Sequence, residues 1–390
     1  MSIQEFATRT EFIARENKTA NNFWPIGIDY GFSGVKCFSP NKIFCFPNCS
    51  IQKMDGGGFL DAGEHDIILK DKDGMWIIGE KASDLMSVGD SMNYESELYG
   101  RNRYFSPVFQ AVMKAGLGIA LSSNRFRKYH GETIVVQTGL PPKYHTGESD
   151  DTAYLKEAIS GKYNFELKIG KGPFQRYIFS ISEGDIYVMD QPLGSLLSCI
   201  TDNNAMQQPK DVPILTGRTL VVDPGFKTLD IFKVVSGMAQ LQECMTFDTL
   251  GMHEILRRTV EALHKKYNAK LSISGMQSAI RRGYINAFDR KLMRTTKQNF
   301  EDVLLDNTSM VCTQAIEKLL SIYDYLQDID NLVLTGGTGD AWSGQIMEYF
   351  KNMETLRILK ANKNDTTLAN IYSNVRGYYY YLIGYLGRRR

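Results

Sequence analysis

The segment RTLVVDPGFKTLDIFKVV, residues 218–235, contains the clearest structural pattern in the chain. An apolar run rich in β-branched residues ends at Asp223, a turn with Gly225 follows, and a second apolar run begins at Leu229; this is the pattern of two strands joined by a turn. The same order of features occurs in IGIDYGFSGVKCFS, residues 26–39, where Asp29 precedes the turn. One supersecondary unit therefore occurs twice, about 190 residues apart, and this repeat predicts two related halves.

The segments around these units alternate between strand and helix patterns. KIFCF at 42–46 predicts a third strand after the first unit, and MAQLQEC at 238–244 predicts one after the second. The remaining predicted elements are a hairpin at Asp73-Gly74, buried strands in 132–142 and 331–334, and helices over 80–130, 252–267, 316–326 and 368–383. This alternation is typical of an α/β protein.

Length and charge restrict the class of protein. The 390 residues suffice for two or three domains, and 45 basic against 44 acidic side chains give a formal charge of +1, which argues against a nucleic-acid coat or a polybasic membrane protein. The six scattered cysteines are expected to be free thiols, and the sequence has no run of 18 apolar residues and no signal peptide. We therefore expect a cytoplasmic protein. The polar segment 1–24 is expected to be a mobile extension, with docking through Ile3, Phe6 and Phe12 as the alternative.

The two Asp-Gly turns have the composition of a phosphate site. Backbone N–H groups in such a turn can surround phosphate oxygens, Lys36 can neutralise them, and Asp29 can hold Mg²⁺ through water. An ordinary turn capped by an aspartate explains either occurrence taken alone. Two such turns facing each other across a cleft would hold a phosphate chain from both sides. After a third strand, Gly336-Gly337-Thr338 offers bare backbone that can lie against a ribose or a purine.

In order and spacing, these three elements resemble the superfamily of actin, the sugar kinases and the heat-shock ATPases. IGIDYGFSGVK resembles its first phosphate loop, LVVDPGFKTLD its second phosphate loop and NLVLTGGTG its adenosine loop. The segments TGLPP at 138–142, DTLGMHEI at 248–255 and NVRGYYYYLIG at 374–384 further resemble the bacterial plasmid-segregation actins of the ParM type. The resemblance extends from residue 25 to the end of the chain.

The resemblance implies an actin-like α/β fold of two related domains, each with a mixed five-stranded sheet, on the two sides of a nucleotide cleft. Domain I is expected to span 25–213 and domain II 214–366, after an N-terminal extension over 1–24. A C-terminal helix at 367–390 is expected to pack back on domain I.

The resemblance also implies roles for the loop residues. Asp29 is expected to organise Mg²⁺, and Asp223 to lie near that ion or near the attacking water. The residues expected to bind ATP or GTP come from the three loops and the DTLGMHEI segment: Gly31, Phe32, Ser33, Lys36, Gly225, Phe226, Lys227, Thr228, Gly251, Gly336, Gly337 and Thr338. Arg281 and Arg282 either touch the base or ribose or belong to a solvated helix face.

The segment VMDQPLGSLL, residues 188–197, occupies the place where ParM-like proteins have a Glu and eukaryotic actins a Gln. We assign the hydrolytic role to Gln191, which would orient water by hydrogen bonding because an amide is not a strong base. Asp190 is the competing candidate. Both roles are compatible with a helix that has Asp190 as its cap and Pro192 in its first turn.

The function that the resemblance implies is hydrolysis of ATP or GTP with Mg²⁺, coupled to head-to-tail polymerisation that moves plasmid DNA. A small DNA-binding adaptor would connect the filament to plasmid centromeric DNA, so neither direct DNA contact nor membrane binding is expected. Two alternatives remain, a sugar-type kinase with Asp190 as its base and a non-polymerising scaffold. The loop at Gly56–Gly58 is a candidate contact between subunits.

Overall fold

The computed structural model describes residues 6–53, 63–86, 101–145, 151–289 and 291–388. The strands are β1 (Glu11–Ala14), β2 (Phe23–Tyr30), β3 (Gly34–Ser39), β4 (Lys42–Pro47), β5 (Ser50–Gln52), β6 (Ile67–Asp71), β7 (Gly74–Ile78), β8 (Thr133–Leu140), β9 (Gly161–Ile169), β10 (Gln175–Ile181), β11 (Ile186–Asp190), β12 (Arg218–Pro224), β13 (Leu229–Val235), β14 (Met238–Ala239), β15 (Met245–Phe247), β16 (Ile285–Asp289), β17 (Arg294–Gln298), β18 (Asn331–Leu334) and β19 (Arg357–Lys360). The helices are α1 (Glu80–Leu85), α2 (Pro107–Leu121), α3 (Pro142–His145), α4 (Thr152–Ile159), α5 (Gln191–Ile200), α6 (Val212–Thr216), α7 (Met252–Tyr267), α8 (Ile273–Arg282), α9 (Glu301–Ile322), α10 (Gly336–Tyr349) and α11 (Ser373–Arg388). The Gly56–Gly58 loop lies outside the described residues.

The first supersecondary unit forms the centre of the main sheet of domain I. β2, β3 and β4 pair antiparallel as the predicted meander, β8 lies parallel to β2, and β11 lies parallel to β8. The strand order is β1-β4-β3-β2-β8-β11. Pairing of β2 with β3 places Asp29 opposite Lys36, so the register itself brings a carboxylate and an ammonium to the first turn.

The second unit repeats this arrangement in domain II. β12 pairs antiparallel with β13 and parallel with β18, in the order β14-β13-β12-β18-β19, and β15 also pairs with β13. The predicted repeat is confirmed. In the described part of the chain each main sheet has six strands instead of the expected five, because β1 extends the first sheet and β15 adds a short strand to the second. The domain bounds at 213/214 and 366/367 stay a prediction.

Several predicted elements differ from the structure. In 80–130 the described helices are α1, α2 and a 3₁₀ turn, and residues 122–130 are not helical. The third strand after the second unit is reduced to Met238–Ala239, after which a 3₁₀ turn begins at Leu241. The predicted hairpin at Asp73-Gly74 is confirmed, and it belongs to a further sheet with the order β10-β9-β6-β7-β5.

The N-terminal segment is docked, so the expectation of a mobile extension was wrong for the described residues 6–24. β1 pairs with β4 at the edge of the domain I sheet, and Arg15 forms a 2.7 Å ion pair with Asp365. Ahead of β1, Phe6 is 3% exposed and packs in the apolar core of domain II. Residues 6–11 therefore cross from one domain to the other. An edge strand that can be paired, together with one buried aromatic anchor, outweighs the polar composition of the segment.

The predicted C-terminal helix, α11, packs on domain I against α5 and β2. A Cβ on Gly377 would lie 1.7 Å from the carbonyl oxygen of Gly194, so the two helices cross at glycines. The buried guanidinium of Arg376 donates to the carbonyl oxygens of Ser198 (2.7 Å) and Thr201 (2.9 Å) at the end of α5. These bonds satisfy carbonyls that the end of a helix leaves without partners.

Within the described ranges, no helix has both the length and the apolar character needed to cross a bilayer. All six cysteines are free, as predicted, and all but Cys244 are buried.

Candidate active site

A cavity of about 1060 Å³ lies between the two domains, at the ends of β2 and β12. This volume is at the upper end of the roughly 300–1,000 Å³ typical of small-molecule sites. The predicted residues among its walls are Asp29, Gly31, Phe32, Ser33, Lys36, Gln191, Asp223, Gly225, Phe226, Thr228, Gly336, Gly337 and Thr338. The fold thus brings both Asp-Gly turns and the third glycine element to one cavity.

The first turn combines a fixed backbone with a partly buried ion pair. Asn48 Nδ2 donates to the carbonyl oxygen of Gly31 at 2.8 Å, and Lys36 Nζ lies 3.4 Å from Asp29 Oδ2. A Cβ on Gly31 would lie 3.0 Å from Lys36 Nζ, so the glycine leaves space for the ammonium group. Burial lowers the pKa of Lys36, but the nearby acidic groups, with Asp29 contributing most, together outweigh this effect, and the pKa is raised overall. Lys36 is therefore a cation at neutral pH.

The second turn carries a buried carboxyl group on the opposite wall. The Gly225 N–H donates to the carbonyl oxygen of Thr228 at 2.7 Å and closes the turn. Burial raises the pKa of Asp223 to about 6; the 2.9 Å hydrogen bond from Asn374 Nδ2 opposes this shift, and the charge of Asp29 adds to it. Two carboxyl groups thus repel each other across the cavity, and a cation between them would relieve that repulsion.

Asp230 lies opposite Asp223 in the β12–β13 register and supports the second turn. Its carboxylate accepts hydrogen bonds from Thr246 Oγ1 at 2.7 Å and from Thr228 Oγ1 at 2.8 Å. Burial raises the pKa of Asp230 to about 8 in spite of these two bonds. Asp230 therefore fixes Thr228 and is itself largely protonated at neutral pH.

The third element, Gly336-Gly337-Thr338, forms the start of a helix. The sequence pattern predicts only a strand followed by glycines. α10 begins at Gly336, whose φ of +75° lies in the region that favours glycine. A Cβ on Gly336 would also lie 3.0 Å from Asp223 Oδ1. Thr338 Oγ1 donates to the carbonyl oxygen of Gly225 at 3.3 Å. The N-terminal helical turn of α10, whose N–H groups have no partner within the helix, is therefore held against the Asp223-Gly225 turn.

Gln191 is the first residue of α5, directly after β11. Its Nε2 atom donates to Asp29 Oδ1 at 2.9 Å, which joins the amide to the first turn. Asp190 is the N-cap residue, but its side chain makes no capping bond; Asp190 Oδ1 lies 3.0 Å from His145 Nδ1. Of the two candidates, Gln191 lines the cavity and Asp190 does not.

Two predicted nucleotide contacts, Lys227 and Gly251, lie outside the cavity wall. The ammonium of Lys227 lies 5.2 Å from the centre of the Phe32 ring, and burial lowers the pKa of Lys227. A Cβ on Gly251 would lie 2.7 Å from the carbonyl oxygen of Phe226. Gly251 therefore allows close backbone packing against the second turn, and its role at the nucleoside stays a prediction.

Arg281 and Arg282 also lie outside the cavity wall. Arg281 Nη2 lies 2.9 Å from Asp84 Oδ1, and its side chain is only 9% exposed. Arg281 therefore joins α8 of domain II to α1 of domain I, whereas Arg282 is exposed, as expected for a solvated helix face.

The walls also contain residues that sequence reasoning missed. They include the N-terminal residues 6–11, Arg103 in the 3₁₀ turn Arg101–Phe105, and Asn374 at the start of α11. Asn374 belongs to the NVRG segment that carried the family resemblance, so a signal for it existed. No motif marks Arg103 or residues 6–11, because long-range packing places them.

Comparison with known proteins agrees with this arrangement. Residues 27–194 match the family described as the N-terminal domain of actin-like proteins. No curated protein sequence matches the chain.

Solved structures with the same fold cover almost the whole chain. The pCBH ParM non-polymerisable quadruple mutant has a TM-score of 0.68 at 17% identity, over 94% of this chain and 100% of that one. A 15-stranded ParM filament from Clostridium botulinum has a TM-score of 0.67 at 18% identity (92% and 99% covered), and Bacillus thuringiensis ParM with AMPPNP has 0.58 at 14% (95% and 100% covered). At identities this low, the structural similarity establishes the fold, and function has to be argued from the residues of the site. Residues 27–194 thus match an actin-like N-terminal domain, and the chain as a whole has an actin-like fold, which it shares with solved ParM structures.

Proposed function

We propose that the chain binds ATP or GTP together with Mg²⁺ in the cleft between its domains and hydrolyses it. The observation that carries this proposal is that two Asp-Gly turns, from two separate repeats, line one cavity together with the glycine-rich start of α10. Turns on both sides of a phosphate chain and a helix N-terminus beside it are suited to holding a nucleotide polyphosphate.

The donor set fits Mg²⁺, which in proteins keeps several waters and takes one or two carboxylates besides substrate phosphates. Asp29 and Asp223 supply these carboxylates from opposite walls. When bound, Mg²⁺ would neutralise charge on the phosphates. No group of three or more acidic, His or Cys side chains suited to a metal ion occurs in the described ranges, in keeping with an ion held mainly through water and phosphate.

Three elements of the cavity wall have distinct proposed roles in binding the nucleotide. The first turn, with Gly31, Phe32, Ser33 and Lys36, binds the β- and γ-phosphates from domain I. Gly225, Phe226 and Thr228 face them from domain II, and Gly336, Gly337 and Thr338 line the nucleoside.

Gln191 orients the attacking water, and its bond to Asp29 fixes the direction of the amide. A neutral amide takes up no proton, so its contribution is positional, as for Gln in GTPases.

We further propose that nucleotide state controls head-to-tail polymerisation of this chain, in the cytoplasm, for the segregation of plasmid DNA. Contacts to the γ-phosphate come from both domains. Because hydrolysis removes these contacts, it favours a rotation of one domain relative to the other. Heterologous contacts between identical subunits produce open filaments. A similar fold occurs in a ParM filament, which supports self-association here. The proposed DNA contact is indirect, through a small DNA-binding adaptor, in keeping with a net charge of +1.

A sugar-type kinase is the alternative function. It would need a carboxylate base facing the acceptor. Asp190, the candidate for that base, is bonded to His145 and lies outside the cavity wall, so the geometry does not favour this function.

The test is phosphate release and light scattering measured in parallel over a range of protein concentrations, with Mg²⁺-ATP and with Mg²⁺-GTP and no added acceptor. We expect a critical concentration above which both signals rise together, for at least one nucleotide. Flat scattering with negligible turnover would contradict the proposal and would favour a screen of sugar acceptors.

A further inference from the structure

Arg103 is a buried cation in the wall of the cavity. The residue is 7% exposed, and its Nη1 atom has no hydrogen-bond partner among the described residues. Across the same part of the chain, Arg103 forms no ion pair with a carboxylate. A guanidinium group removed from water without a compensating anion is unfavourable, so its position requires an explanation.

Aromatic rings hold the Arg103 guanidinium against the first turn. Its central carbon lies 4.3 Å from the centre of the Phe32 ring and 5.0 Å from that of Tyr104. Phe32 is itself a wall residue of the first turn, between Gly31 and Ser33. A planar guanidinium stacks well on aromatic faces, and stacking leaves its N–H groups directed along the plane of the ring and available to a ligand.

We propose that Arg103 is a further phosphate-binding residue of this site, whose N–H groups donate to phosphate oxygens of the bound nucleotide. This inference rests on the proposed function, because the missing anion is supplied by the nucleotide. Arginine suits this task because its fork of donors matches the oxygens of a phosphate and its charge persists at every physiological pH. With Lys36, Arg103 would be the second cation that domain I places at the phosphate end of the cavity.

The test compares Mg²⁺-ATP, Mg²⁺-ADP and adenosine as probes, or the guanosine set if GTP is the nucleotide hydrolysed. Arg103→Ala should weaken binding of the di- and triphosphate about 10- to 100-fold, as expected for the loss of a charged hydrogen bond, and leave nucleoside affinity within about twofold. Arg103→Lys, which keeps the charge but loses the planar fork, should fall between Arg103→Ala and the wild type. The slope of log Kd for Mg²⁺-ATP against log salt concentration should also decrease in Arg103→Ala.

Arg125→Ala is the matched control, because the Arg125 guanidinium also stacks on a phenylalanine, 4.8 Å from the centre of the Phe126 ring, but lies outside the cavity wall. Its phosphate affinities should equal those of the wild type.

The inference fails if Arg103→Ala binds Mg²⁺-ATP as tightly as the wild type, or if it loses nucleoside and triphosphate affinity to the same extent. Should Arg103→Ala not fold, Arg103→Lys decides: wild-type affinities for all three probes would overturn the role of the planar fork. A wild-type protein that binds no nucleotide would refute the proposed function itself, which is a distinguishable result.

Discussion

Gln191 Nε2 donates a 2.9 Å hydrogen bond to Asp29 Oδ1, although the two residues are far apart in sequence. Asp29 lies near the end of β2, and Gln191 is the first residue of α5, which follows β11 in the same sheet. The bond joins the amide proposed to orient water to the carboxylate proposed to organise Mg²⁺. Substitutions at the two positions should nevertheless separate hydrolysis from binding.

Gln191→Ala should retain nucleotide and polymerise, but release phosphate about 100-fold more slowly, because the attacking water loses its orienting group. Persistent filaments should result, measured as light scattering that outlasts the wild-type signal. Gln175→Ala, on an exposed stretch of β10, is the control and should behave as the wild type. Phosphate release at the normal rate by Gln191→Ala would remove Gln191 from its proposed role.

Asp29→Ala should lose the Mg²⁺-dependent part of nucleotide affinity. Titration calorimetry in Mg²⁺ and in EDTA measures this part directly, and we expect the difference between the two Kd values, about tenfold or more in the wild type, to disappear. Asp29→Asn keeps an acceptor for Gln191 but removes the charge, so the same loss in this variant would assign the effect to charge. Unchanged affinity of both variants would count against the first turn as the Mg²⁺ site.

Asp230→Asn should alter the pH dependence of stability. Because the pKa of Asp230 is raised to about 8, the folded protein keeps a proton that the unfolded chain releases above about pH 4. Wild-type stability should therefore fall relative to that of Asp230→Asn as pH rises between about 4 and 8, by at most about 1.4 kcal/mol per pH unit. Urea unfolding across this pH range measures the difference in unfolding free energy between the wild type and Asp230→Asn.

The exposed Asp328, whose side chain is 81% accessible, provides the control. Asp328→Asn makes the same chemical change at the surface, so its effect on the unfolding free energy at the same pH values is the reference for Asp230→Asn. The same pH dependence in both variants would contradict the raised pKa of Asp230.

Gly377→Ala should destabilise the protein by about 1–3 kcal/mol or more, because the new methyl group would overlap the backbone of Gly194 and force α11 away from α5. Gly384→Ala on the same helix is the matched control, since a Cβ there meets nothing within 4 Å. The control should gain up to about 1 kcal/mol from helix propensity. Equal effects of the two substitutions on the unfolding free energy would refute the close crossing.

The sequence predicted those parts of the site that are marked by a motif of neighbouring residues. Asp29, Asp223 and Gly336 each follow an apolar strand, and parallel pairing of β2 with β8 and of β12 with β18 brings strand ends to the same edge of each sheet. Arg103 and residues 6–11 reach the cavity only through tertiary packing, which no local pattern encodes.

The hairpin of β9 and β10 was missed for a different reason. Tyr163, Phe165 and Leu167 alternate as the buried face of β9, so a period of two was present in the sequence. The polar residues Asn164 and Glu166 between them conceal this alternation, and no strand is predicted there from the sequence. Half-buried strands at the surface are the elements most easily overlooked in this way.

The crossing of residues 6–11 between the domains has a practical consequence for labelling the protein. Phe6 is anchored in domain II and lines the cavity, so a tag or fluorescent protein fused a few residues ahead of it lies close to the cleft. Such a fusion would obstruct the domain rotation that we propose. α11 ends in the exposed Gly387 and Arg388, neither of which lines the cavity, and a label attached there leaves the cleft free.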